Sequence, residues 1–172
     1  MEKVGFFGGC FNPVTKAHLD LIRQVIKQEN LNKVYFVPMG DLYPKKDLIC
    51  LEHRIEMLKL AFEEDDKMDI LAISNQNEKM HAIDTFQKID EMFPQVQRVF
   101  IMGSDNFEKI KKWKNAEELM KNYQYIILNR NQGKTKEISS TKVRQNVKLE
   151  QTIEELVPKK VREYIEQKNL YK

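Results

Sequence analysis

The stretch that decides the fold is residues 3–18, which read KVGFFGGCFNPVTKAH. Its first residues form a short apolar run, which predicts a strand that closes at the Gly8-Gly9 turn. Beyond Ala17 the apolar residues follow helical spacing, at Leu19, Ile22, Val25 and Ile26. The stretch therefore predicts a strand, a glycine turn and a helix in that order.

Further strands and helices alternate along the rest of the chain. Strands are expected at 33–37, 68–73, 96–102 and 125–128. Helices are expected at 51–62, 84–92 and 113–120, from 141 onward, and at 158–168. The runs VYFV, VFIM and YIIL are nearly continuous in apolar residues, which is typical of parallel strands covered on both faces. We expect an α/β fold: a Rossmann-like, doubly wound sheet, mainly parallel, of about five strands with helices on both faces.

Length and composition narrow the class of protein. The 172 residues suit one domain over 1–172, and 41% apolar with 32% charged residues is a globular balance. A net charge of +3 suits anionic ligands without predicting a nucleic-acid partner. Cys10 and Cys50 form no CxxC pair, and apolar runs fall far short of the roughly 20 residues of a membrane span. We expect a cytoplasmic protein with reduced cysteines that does not enter the membrane.

Two common phosphate-binding motifs are absent. A Walker A loop needs a glycine five residues before Gly-Lys-Thr, but Leu128 stands at that distance from the Gly-Lys-Thr of 133–135. A GxGxxG motif is also missing, because the early glycines stand at 5, 8 and 9. ATP hydrolysis on a P-loop and NAD-dependent hydride transfer therefore lose support.

The first turn still has the chemistry of a phosphate site. Gly8 and Gly9 allow a polyphosphate to approach the backbone closely. The following helix start offers free N–H groups and partial positive charge. Thr15 and His18, at the start of that helix, can each donate a hydrogen bond. An ordinary helix cap followed by a surface histidine is the alternative on spacing alone.

The segment GGCFNPVTKAH resembles the signature GG-x-F-[DN]-P-x-[HT]-x-G-H of the nucleotidyltransferase superfamily. The matching positions are Gly8, Gly9, Phe11, Asn12, Pro13, Thr15 and His18. Ala17 departs from the pattern, since it replaces the usual glycine. Threonine at position 15 is less common among nicotinate-type members, and is familiar in phosphopantetheine adenylyltransferases.

A second phosphate-type segment, ISSTKVR, occupies residues 138–144. Ser139, Ser140 and Thr141 are good helix caps, and Arg144 can make bidentate phosphate contacts. An ordinary cap with a solvated arginine is the alternative. The segment is similar to the ISSTxIR motif of the same superfamily, which implies that it holds the leaving β- and γ-phosphates.

Three further segments resemble bacterial nicotinate-nucleotide adenylyltransferases. They are HAIDTF at 81–86, IMGSDN at 101–106, and the ending from LVP at 156–158 to NLYK at 169–172. The resemblance implies that Thr85 binds the pyridine substituent, and that Gly103 and Asp105 border the nucleotide. It also implies that Trp113 stacks on the pyridine ring, although core packing is an equal alternative for the only tryptophan.

The loop after the second strand departs from the family. Lys45 stands where members often carry histidine, whereas Lys46 matches a family lysine that offers charge to the phosphates.

The resemblance implies an adenylyltransferase of NAD biosynthesis. It would transfer AMP from ATP to nicotinate mononucleotide, or to nicotinamide mononucleotide, with release of pyrophosphate. His18, Thr15 and Arg144 would be the catalytic residues, and Mg²⁺ would bind through the ATP phosphates with no protein metal ligands. The alternatives are a phosphopantetheine adenylyltransferase and a non-catalytic nucleotide-binding protein of the same fold. The sequence predicts no oligomeric state.

Overall fold

A computed structural model describes residues 1–73, 80–129 and 137–172. Within these ranges five strands form one sheet in the order β3-β2-β1-β4-β5, and every neighbouring pair is parallel. The strands are β1 (Lys3–Gly9), β2 (Lys33–Pro38), β3 (Met68–Ile70), β4 (Gln97–Gly103) and β5 (Tyr125–Leu128). The helices are α1 (Lys16–Gln28), α2 (Leu51–Phe62), α3 (Ala82–Met92), α4 (Ser104–Lys109), α5 (Ala116–Asn122), α6 (Ser140–Lys148) and α7 (Lys159–Gln167).

Helices cover both faces of the sheet. Alternate residues of β1 and β4 point to opposite sides, so Phe7 and Ile101 pack in one core cluster and Phe6 and Phe100 in the other. The first cluster holds the buried faces of α1, α2, α6 and α7, and the second holds those of α3 and α5. The predicted α/β class, with a parallel doubly wound sheet, is confirmed.

The connection between β4 and β5 corrects the prediction of one helix over 113–120. Instead α4 follows β4 directly, a 3₁₀ turn covers Ile110–Lys112, and α5 begins at Ala116. Trp113 has an extended backbone, with φ −82° and ψ 158°, and Asn115 is left-handed, with φ 55°. A continuous helix cannot pass through those two conformations.

Other boundaries move by a few residues for local reasons. α3 begins at Ala82 rather than at 84, because Asp84 accepts a hydrogen bond from the His81 N–H at 2.9 Å and caps the helix start. β3 ends at Ile70 rather than at 73, where its pairing with β2 ends. The Gly-Lys-Thr of 133–135 lies outside the described residues.

Gly5 has a packing role that the sequence did not indicate. A Cβ atom on Gly5 would lie 2.8 Å from Ile101 Cδ1 and 3.0 Å from methyl groups of Leu31 and Val34. All three neighbours are buried in the core. The position therefore has no room for a side chain.

The strand order determines where a ligand can bind. The chain runs from β1 outward to β2 and β3, and β4 then pairs on the other side of β1. In such sheets the crevice lies beyond the carboxyl ends of the strands at this switch point. The loops after β1 and β4 therefore frame the candidate site. Among the described helices, none has the length and apolar character to cross a bilayer.

Candidate active site

Thr15 and His18 form a reciprocal cap at the start of α1. The Thr15 hydroxyl accepts a hydrogen bond from the His18 N–H at 3.4 Å, and Nδ1 of His18 accepts one from the Thr15 N–H at 3.0 Å. The same Nδ1 lies 2.9 Å from the Thr15 hydroxyl. Since the Thr15 N–H donates to Nδ1, that nitrogen is the acceptor and Nε2 carries a ring proton.

This cap changes what Thr15 can do. Its side chain is fully buried, with 0% exposed, and its hydroxyl is directed at His18. The sequence favours a direct contact between Thr15 and a phosphate, but in this structure the hydroxyl orients the His18 ring instead. His18 itself is only partly buried, so its ring lies nearer the surface than its partner.

The second motif packs against the loop after β1. The Ser140 hydroxyl donates to the Pro13 carbonyl at 2.7 Å, and Arg144 donates to the Asn12 carbonyl at 2.8 Å. Ser139 is the N-cap of α6 and accepts from the Lys142 N–H at 3.1 Å. The two phosphate-type segments, far apart in sequence, therefore meet at one place.

Arg144 is less exposed to solvent than the motif implies. It is 9% exposed, and its guanidinium also donates to the Thr141 hydroxyl at 3.3 Å. Thr141 and Ser139 are exposed and Ser140 is half-buried. The guanidinium thus holds the loop and the helix start together in addition to providing positive charge.

Arg54 is a buried residue of the site that motif matching missed. It is 0% exposed and donates to the carbonyls of Cys10 at 2.9 Å, Met39 at 2.7 Å and Ile49 at 2.9 Å. It also pairs with Asp41 at 3.1 Å. Arg54 therefore joins the loop after β1 to the loop after β2. The available signal was an arginine on the apolar stripe of α2, between Leu51 and Leu58.

Positive charge surrounds Cys10. Burial raises the pKa of the Cys10 thiol, while the charges of Lys45, Arg54 and Arg144 act to lower it. Both cysteines are free thiols. Three cationic side chains thus lie close enough to this loop to act on one of its groups, which is the electrostatic setting that a phosphate needs.

A cleft of about 410 Å³ opens beside this loop. Gly8, Thr85 and Trp113, all predicted site residues, line it. The other lining residues are mostly apolar, with a few polar ones that the sequence did not single out: Tyr43, His81, Asn106, Lys112 and Lys114. A concave, mostly apolar lining with few polar groups is typical of a small-molecule site.

Gly8 and Gly9 differ in what surrounds them. A Cβ on Gly8 would meet only the Met39 methyl group, at an ordinary 3.5 Å. A Cβ on Gly9 would lie 3.0 Å from the Phe11 ring. Phe11 is buried and its ring packs edge-on against His18, with centroids 5.5 Å apart. The protein itself therefore leaves space at Gly8, while Gly9 is needed for packing.

The remaining predicted residues lie around the cleft without lining it. Gly103 is the buried last residue of β4, and Asp105 is exposed in the first turn of α4. Lys46 is exposed in the loop after β2. Within the described ranges, no cluster of three or more His, Cys, Asp and Glu side chains is placed to hold a metal ion.

The sequence is similar to known proteins along almost its whole length. A family model described as Cytidylyltransferase-like matches residues 6–146. The nicotinate-nucleotide adenylyltransferase of Bacillus subtilis (strain 168) is 30% identical over 188 residues, which cover 99% of each chain. The chain belongs to the nicotinate-nucleotide adenylyltransferase family. A probable member of this family from Caldicellulosiruptor bescii is 34% identical over 197 residues, again 99% of each chain.

Solved structures show the same fold. The Plasmodium falciparum nicotinic acid mononucleotide adenylyltransferase complexed with NaAD superposes with a TM-score of 0.83 at 20% identity, over 99% of this chain and 98% of that one. The structure of the same enzyme complexed with APC gives 0.81 at 19% identity, with the same coverage. Membership of the nicotinate-nucleotide adenylyltransferase family therefore rests on the sequence relatives, and the structures add the fold.

Proposed function

We propose that this chain transfers AMP from ATP to nicotinate mononucleotide and releases pyrophosphate, as a nucleotidyltransferase of NAD biosynthesis. The observation that carries the proposal is the hydrogen bond from Ser140 to the Pro13 carbonyl, which brings both family motifs to one loop beside the cleft. The relatives' names support the nicotinate reaction over the phosphopantetheine alternative. Their alignment over 99% of the chain supports treating residues 1–172 as one nucleotidyltransferase domain.

The chemistry needs little proton transfer. A phosphate oxygen of the mononucleotide forms a bond to the α-phosphorus of ATP, and the bond from that phosphorus to the bridging oxygen of pyrophosphate breaks. The nucleophile is already an anion, so catalysis consists mainly of positioning and charge stabilisation. The Nε2–H of His18 would donate to the α-phosphate, with Thr15 holding the ring in place.

The leaving phosphates would lie on the cationic side of the loop. Lys46, Arg144 and the α6 start at Ser139, Ser140 and Thr141 would stabilise the β- and γ-phosphates. Gly8 and Gly9, with Phe11 behind them, would let the polyphosphate approach the backbone. Mg²⁺ would reach the site on the ATP phosphates, where it offsets their negative charge. The described residues offer it no protein-built metal site, so no step is assigned to it.

The pyridine nucleotide would occupy the cleft. Trp113 would stack on the ring, Thr85 would bind its substituent, and Gly103 and Asp105 would border the nucleotide. Lys112 and Lys114 favour an anionic ring substituent, hence nicotinate over nicotinamide, although Asp84 lies 4.0 Å from the Lys114 ammonium and offsets part of its charge. Free thiols at Cys10 and Cys50 support a cytoplasmic location.

A pyrophosphate-release assay with ATP and Mg²⁺ tests the proposal. The acceptors are nicotinate mononucleotide, nicotinamide mononucleotide and phosphopantetheine, each in a separate reaction. We expect release with nicotinate mononucleotide and slower release with nicotinamide mononucleotide. Release with phosphopantetheine alone would assign the other adenylyltransferase reaction, and no release with any acceptor would favour a non-catalytic nucleotide-binding protein.

A further inference from the structure

Tyr171, in the segment after α7, reaches the loop after β1. Its hydroxyl donates to Oδ1 of Asn12 at 2.9 Å, across 159 positions of sequence. Tyr171 is only 8% exposed, and burial raises its pKa above the usual range for tyrosine. The hydroxyl therefore keeps its proton at neutral pH and remains a donor. Tyr171 is not among the residues that line the cleft.

The Asn12 side chain connects Tyr171 to the loop after β2. It is buried, with 1% exposed, and its Nδ2 donates to the Asp47 carbonyl at 2.8 Å. The oxygen that accepts from Tyr171 also accepts from the Ile49 N–H, at a longer 3.3 Å. The Tyr171 hydroxyl thus makes the shorter of the two hydrogen bonds to Asn12 Oδ1, and these two bonds orient the amide together with the Nδ2 bond to Asp47.

The loop between Asp41 and Asp47 is held at both ends. Arg54 binds the Met39 carbonyl and the Asp41 carboxylate at its start, and Asn12 binds Asp47 at its end. Lys45 and Lys46 lie between these two attachments and are exposed. Their position relative to the loop after β1 therefore depends on Arg54 on one side and on the Asn12 amide on the other.

We propose that Tyr171 is a positioning residue, which acts through Asn12 to hold Lys45 and Lys46 beside the phosphates of ATP. The inference rests on the proposed function, because it assumes that ATP binds along the loop after β1. It concerns the ATP side of the site alone, since Thr85 and Trp113 lie on other elements.

The test is Tyr171→Phe, which keeps the buried ring and removes only the hydroxyl. The matched control is Tyr164→Phe on α7, which removes a hydroxyl that contacts His53 Nδ1 at 2.8 Å, away from the loop after β1. We expect Tyr171→Phe to raise KM for ATP by about threefold to tenfold, as the loss of one hydrogen bond predicts. KM for nicotinate mononucleotide should stay within about twofold, and Tyr164→Phe should change neither value.

Amide hydrogen exchange gives a readout that does not need activity. The Ile49 N–H should exchange faster in Tyr171→Phe than in the unchanged protein or in Tyr164→Phe, because its acceptor amide is less firmly held. In an Asn12→Ala background, Tyr171→Phe should raise KM for ATP no further, because both changes break the same series of hydrogen bonds from Tyr171 through Asn12 to the loop after β2.

Three results would overturn the inference: an unchanged KM for ATP, an equal rise in Tyr164→Phe, or full additivity with Asn12→Ala. Failure of the proposed function is seen separately, because the unchanged protein would then release no pyrophosphate with nicotinate mononucleotide. In that case the exchange rate at Ile49 still decides whether Tyr171 holds the loop.

Discussion

His18 has a single ring tautomer imposed by its own helix. The Thr15 N–H occupies Nδ1, so Nε2–H is the nitrogen that can donate to an α-phosphate. Such a donor stabilises charge that grows in the transition state, and removing one typically costs a large factor in rate.

We therefore expect His18→Ala to lower kcat by about two orders of magnitude with the fold retained, measured by pyrophosphate release and circular dichroism. His53→Ala is the matched control, because His53 contacts Tyr164 and is not among the residues lining the cleft. Near-normal turnover of His18→Ala would show that His18 has no catalytic role.

Gly8→Ala and Gly5→Ala are expected to change different properties, the KM for ATP in the first and the stability in the second. A methyl group at Gly8 meets only Met39 at 3.5 Å and adds bulk beside the cleft, so Gly8→Ala should fold normally and raise KM for ATP severalfold. Gly5→Ala forces an atom to within 2.8 Å of Ile101 and should cost about 1–3 kcal/mol of stability. Its KM values should be unchanged. Thermal melting and steady-state kinetics separate the two, and a destabilised Gly8→Ala with normal KM would contradict the role of Gly8.

At the scale of the element, α1 depends on the Thr15 cap. Thr15→Val keeps the shape of the side chain but loses the hydroxyl, which should cost about 1 kcal/mol of stability and lower Tm by about 2–4 °C. Turnover should also fall severalfold, because the His18 ring loses a partner at 2.9 Å. Thr15→Ser keeps the hydroxyl and should restore turnover, while the loss of the buried methyl group still lowers stability. If Thr15→Val loses stability and keeps full turnover, the hydroxyl serves the helix alone.

The elements show how far local sequence patterns reach. β5 was predicted at its observed bounds, 125–128, because an apolar run with clear ends is a local signal. The helix predicted from residue 113 was wrong, since apolar periodicity does not register the extended Trp113 and the left-handed Asn115 that interrupt a helix there. That error concealed α4, and it placed Trp113 in a helix instead of in the connection that lines the cleft.

At the scale of the whole molecule, the loop after β1 is held by distant segments. Ser140 contacts Pro13, and the Lys16 N–H donates to the Leu156 carbonyl at 2.9 Å. A ligand that binds the native loop should therefore stabilise the whole chain, by about 2.7 kcal/mol at a hundredfold excess over its Kd.

We expect ATP with Mg²⁺ to raise Tm, and Ser140→Ala to reduce that rise as well as the starting Tm. Asn146→Ala is the control on the same helix: it loses a hydrogen bond to the Thr152 carbonyl at 2.8 Å, away from the loop. It should lower Tm but keep the full ATP-dependent rise. Equal rises in both variants would show that Ser140 does not support nucleotide binding. Differential scanning calorimetry measures all of these values.

The position of the candidate site residues in the fold was predictable from sequence where they lie in short motifs. Gly8, Thr85 and Trp113 line the cleft, and Ser140 and Arg144 reach the loop after β1. The contacts of Arg54 and of Tyr171 were not predictable, because each depends on carbonyl or amide groups brought close only by the tertiary fold. Motif spacing also does not predict burial. Thr15 was therefore expected to contact a phosphate, whereas in the structure it is fully buried and its hydroxyl contacts the His18 ring.

The bond between Tyr171 and Asn12 also sets an order of events during synthesis. Tyr171 is synthesised 159 positions after Asn12, so this contact of the loop after β1 cannot form until both residues have left the ribosome. Contacts of such long range form late in folding, because they close a large loop of chain. The orientation of the Asn12 amide is therefore a late product of folding, because it depends on a segment made long after the loop itself.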